Sequence, residues 1–217
     1  MRDLVIVGAG GFARETAAAA AASWRVRGFV DDDVALHGTV RSGLPVLGAI
    51  DSVLRLPDPA IVVCVGNPRA YDVRRRIVAR LGLGADRYAT VVHPAVEIGA
   101  GSVVGPGSVL LAGVVLTADV TVGAHVAVMP QVVLTHDDRV ADYATVASGV
   151  RLGGGVVVES GAYVGAGALV REGCTVGARS LIGMGSVVLG DVPADQIWAG
   201  NPARKLRDAD VTVASRS

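Results

Sequence analysis

One aliphatic residue at every sixth position, without a break, constrains this chain more than anything else in it. From Ile98 the series runs through Val104, Leu110, Leu116, Val122, Val128, Leu134 and Val140. It continues through Val146, Leu152, Val158, Val164, Val170, Val176 and Ile182 to Val188. A step of six fits neither a 3.6-residue helix nor a hairpin meander. It fits a parallel β-helix of short flat faces, each turning one aliphatic side chain inward. Two residues before each member stands something small or a valine, such as Ser108, Val114, Ala144 or Cys174. Asp138 is the one acidic residue in that column.

If three faces close one coil, residues eighteen apart stack, and Val104, Val122, Val140, Val158 and Val176 form one interior ladder. A single coil cannot bury its inner face, whereas stacked coils can. Sixteen hexads make about five coils, a prism roughly 25 Å long at the spacing of β-strands. Aromatic residues are only 4% of the chain, as expected of a core too narrow for rings.

The period changes near residue 93, so two domains are expected: residues 1–92, a small Rossmann-like parallel α/β domain, and residues 93–217, the β-helix with a C-terminal extension. Leu4 to Val7 reads as a buried strand running into Gly8-Ala9-Gly10-Gly11-Phe12-Ala13, with an alanine-rich helix beyond. Glycines at such a turn let backbone N–H groups approach a phosphate at a helix N-terminus. A second strand, Arg25 to Val30, ends in Asp31-Asp32-Asp33, where a carboxylate can meet a ribose or sugar hydroxyl. Leu44 to Gly48 reads as an edge segment, and Asp51 as the cap of a short helix to Leu56. Ala60 to Val65 is a third strand ending at Gly66-Asn67-Pro68, before a basic amphipathic helix from Arg69 to Leu81 whose Arg74, Arg75 and Arg76 read as a solvated face. Tyr88 to Val92 reads as the last strand of this domain. Strand ends of an open parallel sheet gather at one edge, so the three turns face a common crevice, a nucleotide site. Only half of a dinucleotide fingerprint is present, and about 90 residues leave no room for a second lobe.

Lys plus Arg number 20 and Asp plus Glu 20, a balance that gives no reason to expect a nucleic acid or anionic membrane partner. No apolar run is long enough to cross a bilayer. Cys64 and Cys174 fall in different domains and no signal peptide is apparent, which suits a reduced, cytoplasmic setting. Both cysteines occupy inward positions and neither suits a nucleophile. The four histidines differ. His136 follows the inward Leu134 by two and points out from a corner of the prism with Asp137 beside it, an imidazole and carboxylate suited to general-base work near neutral pH. His125 reads as the outer surface of another coil, His93 as a hinge bonded to backbone, and His37 as a loop residue within reach of the crevice. His125 and His136 do not form a metal set, and no metal is expected.

The stretches VIVGAGGFARE, VDDD, CVGNP, HPAVEIG, THDD within the hexads and IWAGNPARKL, in that order, resemble sugar acyltransferases of the sialic acid O-acetyltransferase type. They are similar also to N-acetyltransferases acting on nucleotide-linked 4-amino sugars of the bacillosamine and perosamine kind. The resemblance implies a left-handed coil, a homotrimer with active sites between adjacent prisms, acetyl-CoA as co-substrate and a nucleotide sugar as acceptor. It implies His136 as catalytic base with Asp137 raising its basicity. It places the nucleotide sugar against Gly11, Phe12, Ala13, Asp31, Asp32 and Gly66, to which the crevice at the strand ends adds Gly10 and Asn67. Acetyl-CoA would touch Thr145, Ala166 and Met184. Where some relatives carry histidine this chain has Phe12 and Thr145, which bears on the acceptor and the acyl donor.

The chemistry implied is direct transfer of acetyl to a sugar amine, His136 taking the proton and a backbone N–H steadying the oxyanion. Transfer to a sugar hydroxyl is the near alternative. A trimeric nucleotide-binding scaffold without catalysis, or a nicotinamide-dependent oxidoreductase resting on residues 8–33 alone, are the readings from other classes.

Overall fold

The computed structural model describes residues 1–56, 59–66 and 70–209. Its first unit is a three-stranded parallel sheet with Arg2–Val7 in the centre, Trp24–Val30 on one side and Ala60–Val63 on the other. Val7 pairs with both Val30 and Val63, so the three strands end level. The centre strand is apolar on both faces because each is covered. Leu4 and Ile6 pack with Ala13 and Ala17 of the helix Gly11–Ala20. Val5 and Val7 pack with Ile77 and Leu81 of the helix Val73–Leu81.

Local details depart from the sequence expectations. Leu44–Pro45 pairs antiparallel with Val40–Arg41 in a separate hairpin, laid so close to the sheet that a side chain at Gly28 would strike the Pro45 carbonyl. Ile50–Arg55 is a 3₁₀ helix, and Asp51 lies inside its first turn, not at the cap. The N–H of Ile50 is satisfied instead by Asp32, at 3.1 Å. Of the stretch Tyr88 to Val92, only Val91–Val92 is a strand, and it pairs with Val109–Leu110 of the prism. Tyr88 keeps a single bridge to Ile61 of the N-terminal sheet.

The hexads form a three-sided prism. Its first face carries Val91–Val92, Val109–Leu110, Ala127–Val128, Thr145–Val146, Tyr163–Val164 and Leu181–Ile182. The second runs from Glu97–Ile98 to Val187–Val188, the third from Val103–Val104 to Thr175–Val176. All pairs are parallel at a stagger of eighteen, as Val104, Val122 and Val140 illustrate. Each face turns two residues inward, not one. Leu116 and Val114, Leu152 and Val150, and Val164 and Ala162 are all buried, since strand alternation sends positions two apart to the same side. Ile98 is the exception: 45% exposed, it sits on an edge strand at the open end, with no coil stacked over its face. The far end is closed by Gln196–Gly200, which pairs with Leu181–Ile182 and lays Trp198 against the core. Asp208 ends the strand Ala203–Asp208, and residues 210–217 of the C-terminal extension lie outside the described residues.

A regularity hidden from the aliphatic pattern governs the corners. Every sixth residue from 101 to 185 has a positive φ. Glycine fills most of these positions, but Asp119, His125, Gln131, Asp137, Tyr143 and Arg179 do not follow suit.

The N-terminal unit rests on the first face, where Val109 and Leu111 join the cluster of Leu4, Ala13 and Ala89. Arg74 pins the seam. It shares a helix face with Ile77 and Leu81 and is only 2% exposed, unlike its exposed neighbours Arg75 and Arg76. Its guanidinium donates to the carbonyls of His125 (2.8 Å), Tyr143 (2.8 Å) and Ala144 (2.9 Å), to Thr145 Oγ1 (2.9 Å) and to the Val65 carbonyl (3.3 Å). Burial lowers its pKa to about 10, which leaves it charged at neutral pH. Arg74→Met strips the donors from several buried acceptors and should cost about 1–3 kcal/mol, read as a lower urea midpoint. Arg75→Met, on the open face, should stay within about 0.5 kcal/mol.

Candidate active site

His136 stands on the turn between Val133–Leu134 and Arg139–Val140, at the corner joining the second and third faces. Its side chain is 69% exposed. Nδ1 lies 2.8 Å from Asp137 Oδ2. With the proton on Nδ1 donated to that carboxylate, Nε2 keeps its lone pair on an exposed ring, as a general base requires. The hydrogen bond to Asp137 raises the His136 pKa above the ordinary imidazole value. Asp137 reaches the ring because it occupies one of the left-handed corner positions, φ 64°.

The ring also has a floor. Gly154, one coil along, has an ordinary φ, yet a Cβ there would fall on the His136 ring at Cε1 and Nε2. Glycine is needed at 154 for space. The spacing of eighteen from His136 within Gly153-Gly154-Gly155 is the sequence signal for it, legible once the coil period is known.

His125 is not on the outer surface. It is 6% exposed, stacked on Tyr143 at 5.1 Å and edge-on to Tyr88 at 4.6 Å. The N-terminal unit covers its corner, and burial lowers its pKa to about 4. His93 Nδ1 accepts from the Ala95 N–H at 3.0 Å, as a backbone-bonded hinge should. His37 Nε2 lies 2.7 Å from the Asp31 carbonyl, within the crevice region.

At the level strand ends, Asp31 ties the turns together. Its carboxylate accepts from the Ala9 N–H at 2.8 Å and from the Asp33 N–H at 3.0 Å. Gly10 and Gly11 are exposed, with open space where side chains would lie. Gly10 offers no side-chain cap and the first helical turn holds no acidic residue, so the positive end of the helix is uncovered. The Phe12 ring lies over Gly66. Ala13 is fully buried, so only its backbone can serve the crevice. Asp32 is engaged by Arg80 at 2.9 Å as well as by Ile50. Asn67 lies outside the described residues.

The three residues expected to touch CoA do not share one surface. Ala166 and the 81% exposed Met184 stack one coil apart at the corner joining the first and second faces. That corner is separated from the His136 corner by the second face. Thr145 is 7% exposed under the N-terminal unit, its hydroxyl bonded to Arg74. Among the described residues, no group of three potential metal ligands converges, and no helix is long and apolar enough to cross a membrane.

A hexad prism with an imidazole–carboxylate corner, joined to a glycine-turn α/β unit, defines the hexapeptide-repeat acyltransferase class. Residues 3–81 match the PglD N-terminal domain family. No curated protein matches the sequence. Among solved structures, the acetyltransferase domain of PglB from Neisseria gonorrhoeae, in complex with acetyl coenzyme A, is 30% identical, with 94% of this chain and 99% of that one covered and a TM-score of 0.85. A mutant of perosamine N-acetyltransferase from Caulobacter crescentus, in complex with CoA and GDP-perosamine, is 26% identical (95% and 97% covered, TM-score 0.85). WeeI from Acinetobacter baumannii is 27% identical (95% and 100% covered, TM-score 0.82). The chain belongs to the hexapeptide-repeat family of nucleotide amino-sugar acetyltransferases.

The two buried or paired imidazoles should separate in an NMR titration. His136 should protonate above the ordinary histidine value of about 6.5, and Asp137→Asn should bring it down. His125 should stay neutral until about pH 4. Because its folded pKa is depressed, the unfolded chain takes the proton first. Its contribution to stability is therefore present above the ordinary imidazole pKa and lost progressively as pH falls toward 4.

Proposed function

We propose that the protein transfers acetyl from acetyl-CoA to the amino group of a nucleotide-linked amino sugar, with His136 as general base and Asp137 as its partner. The observation that carries this reading is the 2.8 Å contact of His136 Nδ1 with Asp137 on an open corner, which leaves Nε2 free. A sugar amine, mostly protonated near pH 7, gives one proton to solvent before it can attack, and the neutral amine must shed a second as it bonds to carbon. The neutral imidazole accepts it while nitrogen bonds to the thioester carbonyl carbon. The C–S bond then breaks, and the thiolate leaves as CoA thiol on taking a proton back from the imidazolium. A backbone N–H of a neighbouring coil steadies the oxyanion. The nucleotide occupies the crevice beside Gly10, Gly11 and Asp31, its phosphates at the uncovered helix end.

A homotrimer completes the site. The N-terminal unit lies on the first face, whereas His136 is on the corner opposite that face. Ala166 and Met184 lie one corner away. Packing neighbouring prisms corner to face brings one chain's base beside another chain's CoA contacts and crevice. The relatives solved with acetyl-CoA, and with CoA and GDP-perosamine, support both substrates.

The test is thiol release from acetyl-CoA across a panel of UDP-, GDP- and dTDP-linked amino sugars. One acceptor should give turnover, with His136→Ala lower by about 10²–10⁴-fold and the fold unchanged by circular dichroism. Near wild-type turnover in the variant removes the base. Acetyl ester formation on a hydroxyl-only analogue, with amines inert, replaces N-transfer by O-transfer. Silence across the panel favours a binding scaffold.

A further inference from the structure

Directly after the His136–Asp137 pair comes a carboxyl that the chemistry above does not use. Asp138 is fully buried in the prism, in a column otherwise filled by Val, Ala, Ser and Cys. Along its own corner the equivalent residues are Ser102, Val120, Val156 and Cys174. A carboxyl in this place has to be held by donors or it is strongly unfavourable. Asp138 Oδ2 accepts from the Thr135 N–H at 2.7 Å, and Oδ1 from the Val156 N–H at 2.8 Å.

The two donors belong to the two turns that hold the base. Thr135 opens the turn that carries His136 and Asp137, and the carboxylate reinforces a weaker backbone bond across it, Asp138 N–H to Thr135 carbonyl at 3.4 Å. Val156 closes the turn that contains Gly154, the floor of the His136 ring. One coil on, the Cys174 N–H bonds the Arg171 carbonyl of its own turn at 3.3 Å. Val156 gives its N–H to Asp138 instead. One side chain thus fastens the imidazole's turn to the turn beneath it.

We propose that Asp138 is a positioning residue for the reaction: it locks the His136–Asp137 turn against the Gly154 turn, so that the imidazole keeps its contact with Asp137 and presents Nε2 in one orientation. This rests on His136 being the base. A second consequence is electrostatic. The charged groups that bear on His136 are Asp137 and Asp138, and those that bear on Asp138 are His136 and Asp137. Burial holds the Asp138 carboxyl up at about 7. To the extent that it is ionised, it favours the imidazolium and so strengthens the base.

The same prism supplies controls. Ser102 and Ser108 occupy the same column and accept the N–H one coil on, from Val120 at 3.1 Å and Val126 at 2.9 Å. Asp138→Ser should therefore keep the Val156 bond, fold normally and lose the hold on Thr135. Asp138→Ala, the residue found in this column at 144, 162 and 168, loses both. With the acceptor found by the panel, kcat should fall at least tenfold in Asp138→Ser and further in Asp138→Ala, with KM for both substrates within twofold of wild type. The acid limb of the kcat/KM profile should move to lower pH in both. Wild-type kcat and an unmoved acid limb in a folded variant overturn the proposal, as does failure of both variants to fold, which would assign Asp138 to stability alone. His136→Ala measured alongside separates the two readings. If it stays active the base is wrong; if it is inactive while Asp138→Ser is unimpaired, only the positioning role falls.

Discussion

The whole molecule depends on a backbone register of eighteen residues. Each two-residue strand is too short to persist alone, and it exists because its N–H and carbonyl groups bond the strand one coil above and one coil below. That repetition turns a one-dimensional period into three straight columns of aliphatic contact, with Val, Leu and Ile filling a core too thin for larger groups. It also fixes which residues share an edge. His136 meets Gly154, and His125 meets Gly107, because they are eighteen apart and for no other reason. The His136 corner and the domain seam are both products of the same arithmetic.

The seam uses that regularity from the outside. A face of parallel strands is flat, and the N-terminal unit rests on it with Leu4, Ala13 and Ala89 against Val109 and Leu111. Apolar burial alone is non-directional, so it does not fix the angle at which the unit sits. Arg74 does, by meeting carbonyls at two successive coils, those of His125 and Tyr143, along with Val65 beside the crevice. A planar cation with five donors suits a corner where several carbonyls converge. The position of the crevice relative to the prism is thus set by hydrogen-bond direction.

The prism was legible in the sequence because its signal is long-range repetition of one residue class, and the His136 corner followed from phase alone. The N-terminal strands were legible as apolar runs ending in glycine or aspartate. Three things were not. The burial of Arg74 could not be told from the arginines beside it, since only a packing partner distinguishes one helix face from another. The burial of His125 depends on Tyr88 and Tyr143 arriving from different parts of the chain. Thr145, Ala166 and Met184 spread over different surfaces because each hexad rotates the direction by a third of a turn, so position along the chain does not by itself give nearness in space. Asp138 stood out as an anomaly, but its meaning lay in which N–H groups it meets.

The corners with positive φ carry a further implication. For a residue with a Cβ this conformation costs about 1–2 kcal/mol relative to the right-handed one, less for Asn and Asp. At three of the corners that keep a side chain, a contact sets that backbone preference aside. Tyr143 stacks in the seam, Arg179 pairs with Asp195, and Asp137 holds the imidazole. Glycine-filled corners are plain bends, whereas those of Tyr143, Arg179 and Asp137 are load points. In a molecule this repetitive, several of the departures from glycine trace where it grips itself.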